Sequence, residues 1–145
     1  MAASNENSSA PALRVRYPAR ARNLAAAAAR DLAAGLAAML ARETRAEAEQ
    51  GLDGNVILIG GEGGAEAGAG LSGNSFEISR SGGAVALHAG SERALLHGAW
   101  DLMERLGANL APGAAPLYPR ADPTKLSLKP YRVDPAFKRR AFVSD

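Results

Sequence analysis

Apolar and polar residues follow two rhythms along the chain, and each change of rhythm marks an element. In ALRVRYP, Leu13, Val15 and Tyr17 alternate with Arg14 and Arg16, the period-two pattern of a strand with one apolar face, and Pro18 closes it. From about Arg20 to Arg45 the chain is rich in alanine, leucine and arginine. Leu32, Leu36, Met39 and Leu40 recur there at helical spacing, so a long first helix is expected. Asn55 to Ile59 is a short continuous apolar run closed by Gly60, as in a strand covered on both faces. Gly60 to Gly73 has too little apolar content to order itself and reads as a mobile surface loop. SFEIS and AVALH flank RSGG, which predicts a hairpin with Phe76, Ile78, Val85 and Leu87 facing inward. A second helix then opens with Ser91 as N-cap and Glu92 complementing the dipole in the first turn, and Gly107 stops it.

On a helical wheel Leu102, Leu95, Leu106, Ala99, Met103, Leu96 and Trp100 take consecutive directions across roughly 160°, whereas a helix resting on one surface needs only about 100°. Two packing partners are therefore expected. Arg93, His97, Asp101, Glu104 and Arg105 fill the opposite side, with Gly98 at the far edge of the arc. Beyond Leu110 the chain is proline-rich and without periodicity, apart from a short strand expected near Asn109. The order strand, helix, strand, hairpin, helix points to an α+β fold, a mostly antiparallel or mixed β-sheet with two helices packed on one face. Arg14, Arg16, Glu77, Ser79 and His88 fall on the other face, which is expected to meet water. The resulting division is a disordered leader at 1–11, the α+β domain at 12–115 and a connector at 116–145.

Composition refines this picture. A chain of 145 residues suits one domain. Hydrophobic residues make up 47%, but alanine supplies much of that and aromatics reach 5%, so the core must rely on close approach of elements. The net charge of +2 is small and the basic residues are scattered, which argues against nucleic acid and anionic membranes as partners. There is no cysteine, which removes disulfides, thiolate catalysis and cysteine-based zinc sites and leaves the compartment open, export included. Arg30 and Asp31 interrupt the alanine-rich run from Leu24 to Leu40, so it reads as a helix outside the bilayer. The opening MAASNENSSAP lacks the basic and apolar regions of a signal peptide.

The candidate chemistry is sparse. Gly68, Gly70 and Gly73 form a GxGxxG, but a strand follows it, with no helix whose N-terminus could hold a pyrophosphate, and Glu62 and Glu66 would repel phosphate. His88 and His97 lack a carboxylate pair at ligand spacing, and Arg93 one turn from His97 disfavours a cation, so no metal is expected. A Ser91, His97, Asp101 triad fails because an N-cap serine commits its oxygen to backbone amides. Asp101 and Glu104 share one solvated helix face, unlike paired acids flanking a pocket. Trp100, at the edge of the apolar arc, reads as core or interface. No cofactor and no self-sufficient active site are expected.

The segment SFEISRSGGAVALHAGSERALLHGAWDLMERLGANLAP resembles the N-terminal accessory domain of family 20-like glycoside hydrolases, the β-N-acetylhexosaminidases and, in related form, the α-glucuronidases. The matching residues are Phe76, Ile78, Gly83, Val85, Leu87, Gly90, Arg93, Leu96, His97, Gly98, Leu102, Glu104, Leu106, Gly107 and Pro112. The upstream strand, helix and VILIG fall where that domain has them, so the resemblance spans most of residues 12–130. It implies a non-catalytic α+β domain whose helices pack between its own sheet and a catalytic (β/α)8 barrel, with Trp100, Leu96 and Met103 facing that barrel. FKRRAFVSD resembles the opening of the family's first barrel strand, with Phe137, Arg140 and Asp145 in register and Ala141 where glycine is usual. In the family that arginine binds hydroxyls of the terminal sugar, which implies a substrate contact for Arg140 in a full-length enzyme. The implied partners are the protein's own barrel and, through it, carbohydrate, and the chain alone is expected to be inactive. A carbohydrate-binding or protein-interaction module without a hydrolase partner is the alternative.

Overall fold

The computed structural model describes residues 12–20, 23–52, 54–61, 71–81, 84–110, 113–121 and 130–134. In chain order they form β1 (Leu13–Pro18), α1 (Asn23–Leu40), β2 (Thr44–Glu49), β3 (Val56–Ile59), β4 (Phe76–Ser81), β5 (Ala84–Ala89), α2 (Glu92–Arg105) and β6 (Tyr131–Val133). The strands make one sheet in the order β2-β1-β3-β5-β4-β6, with β1 and β2 parallel and all other neighbours antiparallel. Val15, Ile57, Phe76, Ile78 and Leu87 point from the sheet into one apolar cluster shared with both helices. The fold is thus α+β, a mixed sheet with two helices on one face.

Helix α1 buries Ala25, Ala28, Ala29, Leu32, Leu36 and Met39, a stripe at helical spacing made largely of alanine. It ends earlier than its composition suggests. Ala41 takes a left-handed conformation (φ 52°) and the Arg42 N–H returns to the Ala37 carbonyl, a Schellman-type stop made without glycine. The residues that follow, TRAEAE, are strand β2 and correct the expected helix to Arg45. Beside β1 their carboxylates meet arginines, Arg14 with Glu47 at 2.8 Å and Arg16 with Glu49 at 3.2 Å. Cross-strand charge pairing thus decides a segment whose own hydrophobic pattern is weak.

The hairpin β4–β5 has the expected partners, with Ile78 opposite Leu87 and Ser81 opposite Ala84. Helix α2 begins as read: Ser91 is extended and its hydroxyl accepts the Ala94 N–H at 3.1 Å while donating to the Gly73 carbonyl. Gly107 (φ 116°) ends it, with the Gly107 and Ala108 N–H groups returning to Glu104 and Met103.

Two further expectations need correction. Part of the segment read as connector belongs to the sheet, because Tyr131–Val133 pairs with β4 as its edge strand. Side chains on both sides anchor it: Tyr131 donates to Asp101 of α2 at 3.0 Å, and Ser75 donates to Asp134 at 2.6 Å. The outer sheet face, expected to be wet, buries Arg16 and His88 together with a second apolar cluster of Leu52, Val56, Leu58 and Ala86. The two terminal nitrogens of Arg16 donate there to Glu49 and to the carbonyls of Gly60 and Gly61, while its buried Nε makes no hydrogen bond, so the guanidinium is paired at its tip. Arg14, Glu77 and Ser79 on that face stay half-buried.

Candidate functional site

The helix layer is built on parallel helices. Strands β1 and β5 both run antiparallel to β3 and so parallel to each other, and each feeds a helix that returns across the same face. The contacts between the helices step forward together. Glu92 accepts the Ala25 N–H at 2.9 Å, Trp100 Nε1 donates to Asp31 Oδ2 at 3.4 Å, and Met103 lies against Gly35. Glycine permits this spacing. A Cβ on Gly35 would stand 2.5 Å from Met103 Sδ, and one on Gly98 would stand 2.7 Å from Leu87 Cδ1 and 3.0 Å from Phe76 Cγ. The wide apolar arc of α2 therefore has its two partners within this chain, the sheet and α1.

The segment after α2 folds back over the helix seam. Asn109 and Leu117 exchange backbone hydrogen bonds, where a short strand was expected, and the Ala121 N–H donates to the Met39 carbonyl at the end of α1. Between this segment and the helices lies a groove of about 390 Å³ lined by Asp31, Trp100, Met103, Leu110, Pro116 and Tyr118. Met103 is buried, Leu96 is half-buried and outside the groove lining, and Trp100 remains 41% exposed. The His97 ring lies 6.2 Å from the indole. Among the described residues Asp31 is the charged group in the lining. The large apolar side chains exposed among the described residues, Leu24, Trp100 and Leu117, belong to the helices or the segment pinned to them, and of these Trp100 lines the groove.

The other singled-out residues serve the scaffold. Asp101 pairs with Arg105 at 2.7 Å and accepts from Tyr131, whose ring lies 3.8 Å beneath the Arg105 guanidinium. Burial first, then the Asp101 carboxylate, raises the Tyr131 hydroxyl well above the ordinary tyrosine range, so it stays protonated and donating. His88 projects from the outer face while His97 rides on α2, so the sheet stands between the two histidines. Burial lowers the His88 imidazole below its usual value, against a smaller upward pull from Glu77. Gly68, Gly70 and Arg140 lie outside the described residues.

Sequence reasoning missed Asp31 and Tyr118. Asp31 served only to break an apolar run, and Tyr118 sat in a segment without periodicity. The available signal was Asp31 one turn before Gly35, a charge beside a glycine in the helix. No family model, curated protein or solved structure matches this chain.

Proposed function

We propose that this chain is the non-catalytic N-terminal domain of a family 20-like glycoside hydrolase, a β-N-acetylhexosaminidase or a related α-glucuronidase, and that its helix layer docks on the catalytic barrel and stabilises it. The observation that carries this reading is that the large apolar side chains exposed among the described residues, Leu24, Trp100 and Leu117, all belong to the helices or to the segment that follows α2, and none to the sheet. Trp100, exposed at the groove, is the apolar group that such a partner would cover. In such an enzyme, hydrolysis belongs to carboxylates of the barrel, and Arg140 would enter the sugar site from the start of the first barrel strand.

Amide hydrogen exchange tests the proposal. In a longer polypeptide carrying the residues encoded after Asp145, α1 and α2 should exchange more slowly than in the 145-residue chain. Equal exchange in the two would overturn it, as would turnover of aryl glycosides by this chain alone. The exposed indole beside Tyr118 favours one second reading, stacking on a sugar. Saturable binding of chitin- or xylan-derived oligosaccharides that disappears in Trp100→Ala would establish it.

A further inference from the structure

We infer that the groove between α1, α2 and the 113–121 segment is a socket for an arginine side chain presented by the docked barrel, with Asp31 and Trp100 as its recognition elements. This rests on the reading of the helix layer as a docking surface and names what that surface selects. Four observations converge on a guanidinium. Asp31 is the charged group in the lining, and among the described residues it makes no ion pair; the arginines that do so there are Arg14, Arg16, Arg45, Arg105 and Arg132, all with other partners. Its bond to the Trp100 N–H is long at 3.4 Å, so the carboxylate retains acceptor capacity. Trp100 and Tyr118 supply aromatic surface against which a planar cation is favoured. Met103, Leu110 and Pro116 provide apolar walls for an aliphatic stem, and about 390 Å³ holds one long side chain rather than a helix.

Charge and shape exclude the other occupants. A phosphate or carboxylate would face Asp31 with no cation in the lining to balance it. A lysine would present a compact ammonium, leaving the aromatic walls underused, whereas a guanidinium forks onto the carboxylate and stacks at the same time.

The test uses the full 145-residue chain and n-butylguanidinium as the arginine mimic, with n-butylurea as its planar neutral isostere. Trp100 is the chain's one tryptophan, so its emission reports the groove directly. Saturable quenching by n-butylguanidinium is expected with Kd of about 1–10 mM, and n-butylurea should bind roughly two- to fivefold more weakly. Asp31→Asn should erase that difference and Asp31→Glu should restore it, with unchanged circular dichroism showing that the variants fold. In Trp100→Phe, backbone amide shifts along α1 replace fluorescence, and both ligands should weaken. Equal response to the two ligands, or a preference that survives Asp31→Asn, overturns the inference. If the cation preference is absent while the longer polypeptide still protects α1 and α2 from exchange, only the arginine socket is lost. If that protection is absent, the docking surface itself is refuted.

Discussion

Ala41 is a residue held in a conformation that suits glycine. A left-handed alanine costs about 1–2 kcal/mol, and glycine would remove that strain while losing about 0.4–1 kcal/mol through its freer unfolded state. Ala41→Gly should therefore stabilise the domain by about 0.5–1 kcal/mol, seen as a melting temperature raised by roughly 2–4 °C. Gly98 is the opposite case. Its α-carbon faces Leu87 and Phe76, both buried in the core, so Gly98→Ala forces a shift in a packed layer. A loss of about 1–3 kcal/mol is expected in urea unfolding. His88 gives the domain a pH signature. Because burial lowers its pKa in the folded chain, the unfolded chain binds the proton more tightly. The associated stability is complete above the unfolded value of about 6.5 and is lost as pH falls through the lower folded value. His88→Gln should remove that slope from unfolding curves taken between neutral and mildly acidic pH.

Edge elements are where tertiary contacts outweigh local pattern. Strand β6 is three residues long and is held by Tyr131 on Asp101 and by Asp134 on Ser75. Tyr131→Phe removes one half-buried hydrogen bond, worth about 0.5–1.5 kcal/mol, and should speed amide exchange in β6 and along the β4 edge beside it while sparing β3. The elements legible in the sequence were those whose period and punctuation agree: β1 with Pro18, β3, the Phe76–Ala89 hairpin, and α2 between Ser91 and Gly107. Those that escaped had no local signal. β2 has no strand pattern of its own, since alanine, glutamate and arginine are helix formers, and its first two residues fall in the expected helix; across the ladder Arg14 and Arg16 pair with its carboxylates. The stop before it is an alanine, which carries no mark of a turn. Buried Arg16 and His88 looked like solvent-facing positions because alternation gives the face of a strand but not what covers that face. Of the groove, Trp100 and Met103 were legible as members of the arc. Asp31 and Tyr118 were not, because only the folded-back segment after α2 brings them together.

For the molecule as a whole, small side chains set the architecture. Alanines in α1, together with Gly35 and Gly98, let two helices and a six-stranded sheet share one thin core. The two faces of the sheet then diverge, one carrying the helix layer and its exposed apolar groups, the other an arginine–glutamate ladder. Parallel helices have a further consequence. Antiparallel neighbours cancel each other's dipoles, whereas these two add, with both N-termini at Ala25 and Glu92 and both C-termini near Met39 and Arg105. Glu92 sits between the two positive ends, acting in the first turn of its own helix and as an acceptor for the other. The helix layer thus has a head and a tail, like a polarised strip. A partner laid along it would meet a different potential when turned end for end, so the docking proposed for this layer would favour one orientation.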